Sequence, residues 1–204
     1  MAQSGYILDA DVSMGVSHTQ YPPFFVLRNV DLQTFPMNAR LLDVGCGMNA
    51  RTTKFLQESG ISVVGVDRDL AQEESCKDFL FQRDAHNLPL ESNYFDLAFS
   101  HMSTYNIFSL QCGAGILRLV QDYYAQEIVK ILSVTKEILR VLRVGGELRI
   151  SPDPDTFLSD CKDEISELGG RIERRELCFD GSEIETVLRE SDIPATYTAI
   201  VKER

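Results

Sequence analysis

Hydrophobic positions fall into two rhythms along this chain. From Ala39 onward, short apolar runs alternate with segments whose apolar residues recur every three or four positions. Leu41 to Val44 reads as a strand. Thr52 to Ser59 reads as a helix closed by Gly60, which suits a C-terminal cap. Ile61 to Val66 is a β-branched strand ending at Asp67, Gln72 to Asp78 a short polar helix, and Phe79 to Gln82 a brief strand ending near Asp84. Phe95 to Ser100 is the next strand, and His101 to Gly115 has no regular pattern. Val120, Tyr124, Ile128, Ile131, Ile138 and Leu142 then recur at helical spacing, predicting one long helix from about Leu117 to Leu142. After Gly145-Gly146 come a strand at Glu147 to Ser151, a helix at Thr156 to Leu168 stopped by Gly169-Gly170, and two strands, Arg171 to Cys178 and Ala195 to Lys202. A helix, Glu183 to Glu190, fits between those last two.

Five strands separated by helices predict a parallel sheet with right-handed crossovers, and the two late strands an antiparallel addition. Met1 to about Met37 carries no such rhythm, and Pro22-Pro23 breaks any helix there. Its Phe24, Phe25 and Val26 are apolar enough to dock on the main body. The expected organisation is an N-terminal arm or cap over residues 1–38 and one α/β domain over residues 39–204.

The most informative stretch is Leu41 to Arg51, L-L-D-V-G-C-G-M-N-A-R. A strand that ends in a glycine turn and feeds a helix brings bare backbone close to a ligand. Asp67 ends the second strand about 20 residues later, where an acid can accept hydrogen bonds from ribose hydroxyls or cap a helix. Asp84 ends the third strand, where it can accept from an exocyclic amine or simply form a turn. Parallel strands put Asp43, Asp67 and Asp84 along one edge. An edge so acidic disfavours pyrophosphate and favours a cationic ligand carrying ribose and amine groups.

Composition narrows the partners. The net charge of −11 gives no excess of Lys and Arg for binding a phosphate backbone, so nucleic acid is not expected. Arg171, Arg174 and Arg175 cluster, but as a solvated strand edge. Cys46, Cys76, Cys112, Cys161 and Cys178 form no C-x-x-C pair, and free thiols suit a reducing cytoplasm. The N-terminus lacks a basic flank followed by an apolar core, and no apolar run is long enough to span a bilayer. Neither a secretory signal nor a membrane span is expected. His18, His86 and His101 are scattered, with no acid or Cys at matching ligand spacing, so no metal site is expected.

Four motifs in order carry a family resemblance: L-L-D-V-G-C-G (Leu41 to Gly47), V-V-G-V-D (Val63 to Asp67), D-A-H-N-L-P-L-E-S-N-Y-F-D-L-A-F-S (Asp84 to Ser100) and V-L-R-V-G-G-E-L-R-I (Val141 to Ile150). Over roughly Ala39 to Ser151 the chain resembles class I S-adenosylmethionine-dependent methyltransferases of the type 11 domain group. That resemblance implies a Rossmann-like seven-stranded sheet, mostly parallel with an antiparallel C-terminal strand and helices on both faces. It implies S-adenosylmethionine as cofactor. Gly45, Cys46 and Gly47 would admit its methionine part, and Asp43 would organise its amino group. Asp67 would hold the ribose, Arg68 would flank the adenine, and Asp84 with Ala85 would read the adenine edge. Ser100 and His101 would lie near the sulfonium and the acceptor. The family often has a third glycine where this chain has Asn49, a residue that tolerates left-handed backbone.

The methyl of a sulfonium is already activated, so the protein mainly has to hold an acceptor in line and exclude water. For a hydroxyl acceptor a general base helps, and His101 and then Tyr105 are the candidates. His101 equally suits a strand-end histidine bonded to backbone. A small-molecule acceptor is the first expectation. The alternatives are a protein side chain and a catalytically silent, methyltransferase-like binding or scaffold protein. A nicotinamide oxidoreductase explains neither Asp84 nor the Leu-Pro…Phe-Asp spacing, and Met48 to Ala50 lacks the glycine it needs.

Overall fold

The computed structural model describes residues 26, 30–32, 38–75, 77–101, 117–151, 157–177 and 196–204. Tyr105, His18, Cys76, most of the arm, the 102–116 insert and the expected helix at Glu183 to Glu190 lie outside them.

Seven strands form one sheet in the order β3-β2-β1-β4-β5-β7-β6. They are β1 (Leu41–Val44), β2 (Val63–Asp67), β3 (Leu80–Gln82), β4 (Phe95–His101), β5 (Leu142–Ser151), β6 (Gly170–Glu176) and β7 (Thr196–Lys202). β1 to β5 run parallel, and β7 is antiparallel to both β5 and β6. The helices are α1 (Arg51–Glu58), α2 (Leu117–Val141), α3 (Phe157–Asp160) and α4 (Lys162–Glu167).

Side chains alternate across the pleat, so each strand feeds two cores. Leu42, Val44, Val66, Ala98, Leu148 and Ile150 face Ile131, Val134 and Ile138 of α2 and Ile165 of α4. Leu41, Val63, Leu97 and Phe99 face Leu56 of α1 together with Val26, Val30 and Leu32 of the N-terminal segment. The central strands are buried on both sides, which is why they read as continuous apolar runs.

The N-terminal segment is also held by charge. Buried Arg149 of β5 donates from Nη1 to the carbonyl oxygens of Val30, at 3.0 Å, and Asp31. Its Nε and Nη2 bond Glu147, and its guanidinium lies 5.2 Å from the ring centroid of Tyr197. Glu147 in turn accepts from Arg175 at 2.6 Å, while Arg171 pairs with Glu203. The basic cluster of β6 is thus an ion-paired edge.

Three elements differ from expectation. Gln72 to Ser75 form turns rather than a helix, as does Asp78 after a bend at Lys77, with Ser75 Oγ donating to Gln72 O. A polar segment this short has no apolar face to offset helix nucleation. β5 begins at Leu142, straight after α2, and Gly145-Gly146 lie inside it as an irregularity. Phe95 pairs with Leu142, but Leu97 pairs with Glu147. A Cβ on Gly146 would meet three carbonyl oxygens, the nearest at 2.9 Å, so only glycine passes there. The helix expected over Thr156 to Leu168 breaks at buried Cys161 into α3 and α4.

Candidate functional site

The carboxyl ends of β1 to β5 share one edge, and the expected residues lie along it. Leaving β1, the chain turns through Gly45 and Gly47, both left-handed with φ of 79° and 77°. The amides of Gly45 and Cys46 both donate to Val66 O, which pins the turn to β2. The third left-handed residue is Ala50, φ 45°, and not Asn49. The departure from the family pattern at position 49 therefore costs no dihedral strain; the strain falls one residue later, at the start of α1.

Asp43 is buried beneath the first turn of α1, and Thr53 Oγ1 donates to its Oδ2 at 2.8 Å. Burial raises its pKa to about 7; the Thr53 bond opposes this and the Asp67 charge adds to it. Asp43 pairs across the ladder with Gly65 of β2. A Cβ on Gly65 would lie 2.7 Å from Thr53 Oγ1 and from Leu80 Cδ2, and 3.1 Å from Cys46 Sγ. Gly65 is thus what lets α1, the glycine turn and β3 converge. Sequence reasoning passed over it, although a lone glycine in a β-branched strand signals close approach. Burial, then the charges of Asp43 and Asp67, push the Cys46 thiol far up, so it stays protonated.

Asp67 ends β2 on the same face as Asp43. Its Oδ2 accepts the Gly47 amide at 2.8 Å and its Oδ1 the Asp69 amide at 2.7 Å. This carboxylate shapes the turn it faces. Arg68 is exposed and pairs with Asp69.

Asp84 is exposed, and its Oδ1 accepts the His86 amide at 3.1 Å, with a turn closed by Asn87 N on Asp84 O. Ala85 is half-buried beside it and His86 is exposed.

On β4, Ser100 and His101 point to opposite faces. Ser100 is buried on the Ala98 side, toward α2. His101 follows Phe99, the ladder partner of Asp43, onto the face of Asp43 and Asp67. Burial lowers its pKa to about 4, so its imidazole is neutral at physiological pH.

The fold thus joins Asp43, Cys46, Gly47, Gly65 and Asp67 into one bonded cluster. It sets Asp84 and Ala85 at the adjoining strand end, turns Arg68 outward and divides Ser100 from His101. No group of His, Cys, Asp and Glu among the described residues has metal-ligand geometry, and no described helix is long and apolar enough to cross a membrane.

A family described as a methyltransferase domain matches residues 42–150. No curated protein matches the sequence. Among solved structures, a TehB-like SAM-dependent methyltransferase from Corynebacterium glutamicum is similar at 18% identity, covering 91% of this chain and 90% of that one, with a TM-score of 0.54. A complex of the Haloferax volcanii Trm112 methyltransferase activator with a methyltransferase is similar at 14% identity, with 89% and 92% covered and a TM-score of 0.52. The [4+2]-cyclase SpnF is similar at 16% identity, with 89% and 79% covered and a TM-score of 0.50. At these identities the likeness is one of fold. With more than half its length matched and this strand order, the chain belongs to the methyltransferase domain family and has the class I S-adenosylmethionine-dependent methyltransferase fold.

Proposed function

We propose that this protein binds S-adenosylmethionine and methylates a small-molecule acceptor. One observation carries the reading: the acids at the ends of β1 and β2 are hydrogen-bonded by uncharged donors. Asp43 is met by a hydroxyl and Asp67 by backbone amides. A cationic ligand with hydroxyls and an amine suits that edge, and a pyrophosphate does not. The cofactor would supply a methyl group on a positively charged sulfur.

Gly45, Cys46 and Gly47 would admit its amino-acid end, with Asp43 the nearest buried acid. Each oxygen of Asp67 accepts one backbone bond and keeps acceptor capacity for a ribose hydroxyl. Asp84, Ala85 and Arg68 would lie toward the adenine, and Ser100 and His101 toward the acceptor. His101, neutral and with its ring nitrogens buried, would be a weak base toward a hydroxyl acceptor, with Tyr105 as the second candidate. Residues 1–38 would form an arm over the domain at 39–204, and docked Val26, Val30 and Leu32 support that. The free thiols of Cys46 and Cys161 support a reducing, cytoplasmic setting.

A second reading, a protein of this fold without turnover, is favoured by one feature. Asp67 already serves the Gly47 turn, so a ribose must share it. Calorimetric titration with S-adenosylmethionine and with NAD, on wild type and Asp67→Ala, tests both. Micromolar binding of S-adenosylmethionine alone, lost in the variant, is expected. Absence of binding, or equal binding of NAD, overturns the proposed activity.

A further inference from the structure

The connection from β3 to β4 contains Asp84 and Ala85 and is seated by buried Leu88, with Ala85 and Leu90 packed against the same core. Its one internal brace is the Asp84 turn, which ends at Asn87. From Leu88 onward the chain is held from outside by two residues of α2, Glu137 and Arg140. Glu137 Oε1 accepts the Leu88 amide at 2.8 Å, and Arg140 Nη2 donates to Leu88 O at 3.0 Å. Both backbone polar groups of one residue are thus met by one ion pair, itself closed by Arg140 Nη2 on Glu137 Oε1 at 2.7 Å and Nε on Oε2 at 2.9 Å. The second arm of the guanidinium, Nη1, donates to Leu90 O at 3.0 Å and Ser92 Oγ at 2.9 Å. The backbone finishes the seam, with Asn93 N on Arg140 O and Tyr94 N on Val141 O. Lys202 Nζ bonds Asn93 Oδ1 at 2.6 Å from the end of β7.

We infer that Glu137 and Arg140 are a positioning pair for cofactor recognition: by clamping Leu88 through Ser92 they fix the Asp84–Ala85 turn at the sheet edge without touching the cofactor. Arg140 uses a planar fork that lysine cannot reproduce, since three acceptors at separate angles are held at once. The opposite end of the turn is tied too, by Arg83 N on Asp67 O. Asp84 therefore lies between a strand end and a stretch that the core burial of Leu88 and the clamp hold together, and loosening the clamp removes the polar half of that anchorage. The inference rests on the reading that Asp84 faces the adenine.

The test combines a ligand-free readout with a binding one. In ligand-free protein, amide hydrogen exchange at Ala85 to Leu88 is expected to accelerate at least about tenfold in Arg140→Met, and by less in Glu137→Gln, whose amide oxygen can still accept the Leu88 N–H while its NH2 no longer accepts from Arg140 Nε. S-adenosylhomocysteine affinity is expected to fall about tenfold in Arg140→Met and less in Arg140→Lys. In an Asp84→Ala background the Arg140→Met change is expected to have no further effect, because the clamp acts through Asp84. Unchanged exchange at Ala85 to Leu88 overturns the clamp whether or not any cofactor binds. Additive losses in the double variant overturn its role in recognition. Failure of wild type to bind S-adenosylhomocysteine, with exchange accelerated as expected, overturns the cofactor reading and leaves the clamp standing as a loop anchor alone.

Discussion

The turn after β1 and the turn after β3 lie on the same sheet edge and keep their shape by opposite means. The first is held from within. Left-handed Gly45, Gly47 and Ala50 set its path, the Asp67 carboxylate closes it, and Gly65 leaves the space it needs. The second is held from outside, by Glu137 and Arg140, which lie about 50 residues away in sequence. A turn of the first kind is intolerant where it packs against Gly65 and where its own glycines are left-handed. A turn of the second kind has a loose tip and depends on one buried leucine, Leu88, and on a distant ion pair that bonds its backbone.

The largest expected effect comes from crowding the first turn. Gly65→Ala puts a methyl group against Thr53 Oγ1 and Leu80, displacing the Asp43–Thr53 bond. A loss of about 1–3 kcal/mol in urea unfolding is expected, together with loss of S-adenosylmethionine binding. Unaltered stability would mean that this turn yields more easily than its packing implies.

Protonation is the next probe. Asp43 has a folded pKa of about 7, raised by burial from 3.8. Between those values the folded state binds more protons than the unfolded one, so Asp43 makes stability fall as pH rises from about 4 to 7. His101 has the opposite sign. Its pKa is lowered to about 4 from 6.5, so its contribution makes stability rise over about pH 4 to 6.5. Ionised Asp43 favours a cationic ligand, so S-adenosylmethionine affinity is expected to climb up to about tenfold from pH 6 to 8. Asp43→Asn is expected to flatten that rise; a rise retained in the variant assigns it to another group.

Ala50→Gly removes the left-handed penalty at φ 45° but also a buried methyl packed with Leu70 and Leu80, so a net gain of at most about 0.5 kcal/mol is expected. Asn49→Gly brings no such gain, and thermal melting of the two variants separates these positions. The smallest effect belongs to the second turn. Ser92→Ala removes one contact of a clamp that keeps Leu88 and Leu90, so a change within about 0.5 kcal/mol is expected. A large loss would show that the outer turn is as brittle as the inner one.

Much of this was legible in the sequence because local physics carried it. The strand-turn-helix at Leu41 to Arg51 announces itself through glycines placed where the backbone must turn left-handed, and the three strand-end acids follow from parallel order. The fold class, the long α2 and the antiparallel β7 all follow from periodicity and element order. What stayed hidden depends on distance. Arg140 reads as one more charge on a helix, and nothing near it in sequence points to Leu88. Arg149 sits in an apolar strand pattern, and its partners Val30 and Asp31 precede it by 119 and 118 residues. β5 was misplaced at its start because Gly145-Gly146 suggests a stop, whereas here it marks an irregular pairing with β4. The division of Ser100 from His101 was implicit in strand alternation.

The grip of Arg149 on the N-terminal segment has a consequence for how such a protein can change over time. It holds the main-chain oxygens of residues 30 and 31, which every amino acid possesses. At position 31, where φ is 52°, it also lies 3.9 Å from the buried Asp31 carboxylate, so an acid is favoured there. The mounting is therefore generic at residue 30 and specific at residue 31. Val26, Val30 and Asp31 are thus the positions that decide where this segment meets the sheet.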